Sequence, residues 1–321
     1  MKTKVLIIKL GYSETFDKEV SRVSSLGDVI RSTVILHLFK NDDVTWLTDE
    51  KAIPLLFSNP YLKRILTYDF TTVLQLQNEI FDVVVNLEKV PGICAMADTI
   101  KAWKRFGFRF NPLSGVADCY MFAENAMEMV SNDIHKQSHN RTWQECLYDL
   151  FGIKWKGEEY VLGYTPSSKE EYDIGFNFRV GEKWPTKAWK IDHWKQLEKL
   201  CGSKGLSVSW QEGVDNIYHY IDWLNKCRII VSNDSLGLHL ALALRKRVLG
   251  LFGSTSDKEV HFYGQGSSLI PENYLECRPC FSKTCSYGEE CINLVTPRLV
   301  MEAITGLRAK IEDDAYHLCR P

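Results

Sequence analysis

The run Cys227-Arg228-Ile229-Ile230-Val231-Ser232 passes through Asn233-Asp234-Ser235-Leu236-Gly237 into an apolar stretch, and it narrows the choice of fold more than any other segment. Its first six residues are apolar and partly β-branched, the pattern of a strand buried on both faces, as parallel sheets require. A parallel strand needs a crossover, and His239 to Leu244 supplies a helix packed from its first turn. The expectation is an α/β fold. The turn adds chemistry to the topology. A strand end, a Ser/Gly turn and a helix N-terminus gather backbone N–H groups and the positive helix end at one point. Two readings fit: Asp234 or Ser235 is an ordinary helix cap, or the turn holds an anion, of which a ligand phosphate is the commonest in an α/β protein.

The rest of the chain repeats the alternation. Strand-like runs at 4–10, 43–47, 64–68 and 81–87 are separated by helix-like runs at 28–39, 50–57 and 71–80. Then 101–106 reads as a helix, 108–110 as a short strand and 117–151 as mainly helical. Gly163-Tyr164-Thr165-Pro166-Ser167-Ser168-Lys169 is small, polar and proline-bearing, the composition of a linker. Beyond it, strands at 172–178, 206–210 and 247–252 accompany helices at 191–201 and 216–226, and 297–310 opens with a proline and continues at helical spacing. This alternation predicts parallel, doubly wound sheets, and 321 residues suit two such domains, 1–165 and 166–321. Open α/β sheets bind ligands at the carboxyl ends of their strands, where the Asp234 turn falls. Leu10-Gly11-Tyr12-Ser13-Glu14-Thr15, after the first strand, lacks the G-x-G-x-x-G of a dinucleotide site.

Composition removes other classes. A net charge of −2 gives no general attraction to nucleic acid. No apolar run approaches the roughly 20 residues of a membrane span. Met1-Lys2-Thr3-Lys4-Val5-Leu6-Ile7-Ile8 has neither the length nor the cleavage site of a secretion signal, so a cytoplasmic protein is expected, with at most peripheral membrane contact. Cys94, Cys119, Cys146, Cys201, Cys227 and Cys319 are scattered and read as small buried hydrophobes. Cys277, Cys280, Cys285 and Cys291 form C-x2-C-x4-C-x5-C, which suits structural zinc or iron and equally suits four reduced thiols in a loop.

Three further stretches carry chemistry. Ser24-Ser25-Leu26-Gly27-Asp28-Val29 sets a carboxylate at a helix start after a glycine turn, as a cap or as a catalytic group. Glu182-Lys183-Trp184-Pro185-Thr186-Lys187-Ala188-Trp189 puts two lysines among tryptophans after the second domain's first strand. Lys101, Lys104 and Arg105 flank Trp103, either as contacts for an anionic substrate or as a solvated helix face. Gly11 to Val23 is a charged loop that faces a substrate or merely solvent, and the chain has no Asp-x-Asp to hold a divalent ion on a diphosphate.

Asp234-Ser235-Leu236-Gly237-Leu238-His239-Leu240-Ala241 resembles the Asp-Ser/Thr-Gly-Pro-Met-His-Leu-Ala signature of glycosyltransferase family 9, the ADP-heptose:lipopolysaccharide heptosyltransferases. The glycine is displaced one place, with Leu236 where the family has Gly. Ser24-Ser25-Leu26-Gly27-Asp28-Val29, Lys187-Ala188-Trp189 and the cysteine cluster also resemble family elements, in the family's order. The resemblance implies a GT-B fold: two Rossmann-like domains whose parallel sheets face across a cleft, the N-terminal one binding acceptor and the C-terminal one binding donor. It implies Asp28 as general base. It implies donor contacts from Lys187, Lys183, Glu212, Asp234, Ser235, Leu236, Gly237 and His239, with lysine and helix ends replacing metal at the diphosphate. No catalytic cofactor is expected. The function implied is inverting transfer of heptose from ADP-heptose to a lipopolysaccharide core or other surface glycan, at the inner face of the inner membrane. Transfer to an autotransporter-like protein, or a non-catalytic member binding a nucleotide or glycan, are the alternatives.

Overall fold

The computed structural model describes residues 2–12, 24–131, 137–271 and 276–318. The chain divides into two compact units, Met1–Thr165 with Lys258–His261, and Pro166–Asp257 with Phe262–Pro321.

In the first unit, β1 (Lys4–Ile8), β2 (Asp43–Thr48), β3 (Arg64–Thr67), β4 (Ile80–Asn86), β5 (Lys101–Asn111) and β6 (Val116–Cys119) form one sheet in the order β3-β2-β1-β4-β5-β6. The first five are parallel and β6 is antiparallel to β5. Val5 to Ile8 are fully buried, as a central parallel strand requires. Helices α1 (Leu26–Ser32), α2 (Ile53–Leu56), α3 (Phe70–Asn78), α4 (Pro91–Thr99), α5 (Glu124–Ser131) and α6 (Trp143–Asp149) accompany the sheet.

Two expectations are corrected here. The helix read at 28–39 tightens after α1 into a 3-10 turn, Thr33–Phe39. Ser32 Oγ donates to Asp28 O (2.8 Å) and Thr33 Oγ1 to Ile30 O (2.6 Å), and the β-branched Thr33-Val34-Ile35 run favours helix poorly. The helix read at 101–106 is the first half of strand β5, paired with β4 from Ile80↔Lys101 to Asn86↔Gly107. Pairing with a buried neighbour outweighs the weak local pattern.

In the second unit, β7 (Tyr172–Asn177), β8 (Val208–Trp210), β9 (Cys227–Asn233), β10 (Arg247–Leu251) and β11 (Gly266–Leu269) form an all-parallel sheet in the order β11-β10-β9-β7-β8. Helices α7 (Ile191–Ser203), α8 (Ile217–Lys226), α9 (Leu236–Ala243) and α10 (Pro297–Leu318) accompany it. Ile174, Phe176, Trp194, Ile229, Val231 and Val300 lie in its core. The edge strand β11, Gly266-Ser267-Ser268-Leu269, has no sequence signature of a strand and is held by β10. Among the scattered cysteines Cys94, Cys146, Cys201 and Cys227 are buried and Cys119 is half-buried, while Cys319 lies outside the described residues.

Strand order reverses beside the first strand of each sheet, between β1 and β4 in one and between β7 and β9 in the other. Neighbouring crossovers leave in opposite directions there, opening a crevice at the carboxyl ends. Among the described residues no helix is long and apolar enough to cross a membrane.

Candidate active site

At the switch point of the second unit, the end of β9 feeds α9 through Asn233-Asp234-Ser235. Ser235 is the N-cap residue, yet its side chain makes no cap bond; the hydroxyl instead accepts from Asn177 Nδ2 at 2.9 Å. The capping alternative is therefore not what the structure builds, and Ser235 does not spend its hydroxyl on the first-turn amides. Asp234 turns away to an ion pair with Lys187 (Oδ2–Nζ 2.7 Å) and accepts from Thr255 Oγ1 at 2.7 Å. Burial alone would raise the Asp234 pKa, but the Lys187 charge, His239 and the hydrogen bonds from Lys187 and Thr255 outweigh it and hold the carboxyl at about 2. Asp234 is thus a fixed anion, a good anchor for an ammonium and a poor proton acceptor.

Lys187 ends the short turn Pro185–Lys187, and the chain just beyond it is pinned. Trp189 N donates to Asn233 Oδ1 (3.3 Å), Trp189 Nε1 to Val295 O (2.8 Å) and Lys190 N to Asn293 Oδ1 (3.0 Å). Gly237 is dictated by space, because a Cβ there would lie 2.2 Å from Tyr220 Oη and 2.4 Å from Asn177 Nδ2. His239 is buried on α9, two residues further along.

At the switch point of the first unit, Asp28 occupies the first turn of α1 and is buried. The chain enters α1 through a closed neck: Ser25 N donates to Gly11 O (2.6 Å) and Ser24 Oγ to Leu10 O (3.0 Å). Gly11 has φ +80°, and a Cβ would meet Ser25 O at 2.6 Å, so only glycine fits. The loop read at 11–23 lies, from residue 13 on, outside the described residues. Arg31 Nη1 stands 3.7 Å from Asp28 Oδ1. Glu88, after β4, is fully buried, pairs with Lys9 at 3.4 Å and accepts from the amides of Leu10 and Gly11 at 2.7 and 2.8 Å. The Lys89 ammonium lies over the rings of Phe108 (5.0 Å) and Trp143 (5.1 Å), and the Arg31 guanidinium is 5.2 Å from the Trp143 centroid.

The remaining expected residues fall elsewhere. Lys183 is half-buried, and the ion pair to Asp234 is made by Lys187. Glu212 is exposed at the lip of a different groove, of about 450 Å³, shared with Gly213, His219 and Asp222. Lys101 and Lys104 are exposed on β5, whereas Arg105 is spent on the carbonyls of Ala97 and Ile100 at the end of α4.

Cys277, Cys280, Cys285 and Cys291 line one cavity of about 230 Å³ with Thr186, Ser254 and Glu289. Burial, with the neighbouring thiols, raises the Cys291 pKa, and Cys285 Sγ donates to Glu289 O. Among the described residues, however, no group of three or more His, Cys, Asp or Glu side chains is arranged to hold a metal ion. The thiols share a cavity without closing into a ligand set.

Sequence reasoning missed Asn177 and Thr255. Asn177 is fully buried at the end of β7, donates to Ser232 Oγ (2.7 Å) and Ser235 Oγ, and accepts from Tyr220 Oη. A polar residue closing an apolar strand is the signal that marks it. Thr255 belongs to Gly253-Ser254-Thr255-Ser256 after β10, a second Ser/Gly turn at the same sheet edge.

Residues 213–290, from just past β8 to the residue before Cys291, match the family model for glycosyltransferase family 9 (heptosyltransferase). Lipopolysaccharide heptosyltransferase 1 of Pseudomonas aeruginosa is 29% identical over 133 residues, covering 34% of this chain and 37% of that protein. The aligned stretch thus spans little more than a third of the relative. Among solved structures, the family 9 glycosyltransferase of Veillonella parvula matches with a TM-score of 0.67 at 16% identity, over 97% of this chain and 98% of the other. E. coli heptosyltransferase WaaC, solved with ADP-2-deoxy-2-fluoro heptose, matches with a TM-score of 0.61 at 15% identity, over 94% and 99%. Such identities speak for the fold, and the fold shared is GT-B. Family model, sequence relative and fold point the same way: this chain is similar to glycosyltransferase family 9, and the family model itself matches residues 213–290.

Proposed function

We propose that the protein is an inverting glycosyltransferase that moves heptose from ADP-heptose to a lipopolysaccharide core or other surface glycan. The carrying observation is the pair of carboxylates at the two switch points: Asp234 pinned to Lys187 at 2.7 Å, and Asp28 buried in the first turn of its helix with Arg31 Nη1 at 3.7 Å. Inversion is a direct displacement at the anomeric carbon, so the acceptor hydroxyl must lose its proton as it attacks. Asp28, within about 2.6–3.2 Å of that hydroxyl in the reacting complex, takes the proton and contributes roughly 10²–10⁴ in rate. The leaving nucleoside diphosphate gains charge in the transition state. Lys187 has three N–H donors; one is directed at Asp234, and the others meet the diphosphate. The amides of Leu236 and Gly237 and the N-terminus of α9 add to that stabilisation, with Ser235 and His239 shaping the turn. Lys183 and Glu212 are the outer donor contacts, Glu212 for the ribose, and Lys101 and Lys104 are candidate acceptor contacts. A cytoplasmic site at the inner face of the membrane suits a nucleotide-sugar donor and a glycolipid acceptor.

The shared thiol cavity supports a structural zinc or iron at the four cysteines, which would need the loop to draw in around it; elemental analysis of purified protein tests this. The donor reading is tested by thermal shift against ADP-, GDP-, UDP- and CDP-sugars. A ligand at about 100 times its Kd adds roughly 2.7 kcal/mol. A shift confined to ADP-heptose supports the reading, and transfer to a heptose-deficient core glycolipid completes it. No shift with any nucleotide sugar sinks the donor site.

A further inference from the structure

Thr186 stands immediately before Lys187, in the turn that carries the lysine, and is buried. Its Oγ1 donates to Ser282 O at 2.6 Å and lies 3.0 Å from Ser254 Oγ. Ser282 belongs to the cysteine loop, between Cys280 and Cys285. Ser254 belongs to the turn after β10, and its carbonyl accepts from Phe281 N of the loop at 2.8 Å. Arg278 Nε donates to Gly253 O of the same turn at 3.2 Å. The next residue along that turn, Thr255, holds Asp234. Thr186 and Ser254 also line the cavity of about 230 Å³ that the four cysteines share. The loop thus reaches both members of the Lys187–Asp234 pair, the lysine through Thr186 and the carboxylate through Ser254 and Thr255.

We propose that Thr186 is a positioning residue for Lys187, and that through it the cysteine loop sets how well the turn holds a diphosphate. The inference rests on the reading of Lys187 as the diphosphate contact. On the far side of Lys187 the backbone is fixed by the bonds that Trp189 and Lys190 make to Asn233, Val295 and Asn293. On the near side Pro185 fixes one dihedral, and Thr186 ties the turn to the loop. Threonine suits this place. Its β-branched side chain is stiff about χ1, and its hydroxyl both donates and accepts, so one short side chain joins a loop carbonyl and a serine hydroxyl. A lysine has a long, flexible stem. Its ammonium is therefore placed as well as the backbone beneath it is placed, and small misplacements at a reacting centre are costly.

The loop also meets this part of the chain at its surface, where Lys190 Nζ pairs with Glu289 Oε1 at 2.5 Å. Those side chains are 44% and 57% exposed, and such pairs contribute little. The buried Thr186 hydroxyl is the stronger route. Coupling between two sites is reciprocal. If Phe281 and Ser282 steady the turn through Ser254 and Thr186, a diphosphate that fixes Lys187 steadies Phe281 and Ser282 in return. The loop is then more than a surface feature of the second unit, because its order and the order of the donor turn rise and fall together.

The test pairs calorimetric titration with ADP and hydrogen exchange of the loop in the full chain. Thr186→Val keeps the shape and removes the hydroxyl, and should weaken ADP about tenfold. Thr186→Ser keeps the hydroxyl and should bind ADP as the wild type does. In the wild type and in Thr186→Ser, ADP should slow exchange of the Phe281 amide several-fold; in Thr186→Val it should not. Unchanged ADP affinity in Thr186→Val overturns the inference. So does an equal loss in Thr186→Ser, which would make the methyl group's packing the cause. Weaker ADP with loop protection intact also overturns it, because the hydroxyl would then act without the loop. If Thr186→Val does not fold, Ser254→Ala decides: weaker ADP together with lost loop protection supports the inference, and either one without the other overturns it. A wild type that binds no ADP ends the donor reading and this inference with it, whereas equal binding by wild type and Thr186→Val ends the inference alone.

Discussion

Asp28 and Asp234 stand at equivalent places in two sheets and are held in opposite ways. Each follows a central parallel strand and lies by a helix start at its sheet's switch point. Asp234 lies before its helix, is drawn to Lys187 and Thr255 at 2.7 Å, and is kept ionised with a pKa of about 2. Asp28 lies inside the first turn with Arg31 Nη1 at 3.7 Å, and the same guanidinium lies 3.7 Å from Glu259. The lesson is that one topological device yields two kinds of carboxylate. At Asp234 short contacts make a fixed charge that positions a lysine; at Asp28 the carboxylate sits inside the helix turn, at charge distance from an arginine.

The largest effect expected is the one that breaks this comparison at Asp28. Asp28→Asn should lower transfer by about 10²–10⁴-fold while ADP-heptose binds as before. Turnover and calorimetric titration, run side by side, check it. Equal loss of both would make Asp28 as structural as Asp234. Next comes Asp234→Asn, which leaves the mostly buried Lys187 without its partner and should cost about 3–5 kcal/mol, together with donor affinity. The sign with pH follows from a folded pKa depressed to about 2. Protonation of the unfolded chain centres near 3.9, so the Asp234 contribution is complete above that value and fades as pH falls towards 2. Denaturant melts should show a wide gap between wild type and variant at pH 7 and a narrow one at pH 2.5. A gap of constant width would place the stabilisation elsewhere.

What could be read from the residues is what they settle locally. Alternating apolar runs mark β1, β4, β7 and β9, and the small polar residues around Asp28 and Asp234 mark the turns at their ends. The partners of those turns are set by strand order, which no short window contains. Asn177 reaches Ser232 and Ser235 only because β7 pairs with β9, and Thr255 reaches Asp234 only because β10 lies on the other side of β9. The strap Lys258–His261 is harder still, since its place is with residues more than a hundred positions earlier. The basic run at 101–105 shows a helical period in isolation and is a strand only through its pairing with β4, which is also non-local.

A smaller effect tests how tightly the pinned turn is packed. Gly237→Ala would press a methyl group against Tyr220 Oη and Asn177 Nδ2, at 2.2 and 2.4 Å, in a cluster whose members also hold one another. Overpacking of this kind costs typically about 1–3 kcal/mol, and thermal denaturation should register it along with weaker ADP-heptose binding. A neutral Gly237→Ala would mean that the turn yields, and that the tight half of the comparison is looser than its distances imply.

The smallest effect separates charges that serve a site from charges that guard an edge. Along 101–107, β5 has β4 on one side, while β6 joins it only from Phe108 onward, so among the described residues no strand pairs with its other side there, and Trp103 is 82% exposed. Lysines on such an edge discourage pairing with another chain. Replacing Lys101 and Lys104 with threonine should change stability by no more than about 0.5 kcal/mol and leave donor binding alone. Self-association at high concentration should rise, as light scattering would detect. If scattering stays flat while transfer to the glycolipid acceptor falls, the two lysines belong to the acceptor site. The first unit would then bind its substrate through exposed charge as well as through the buried crevice of Asp28.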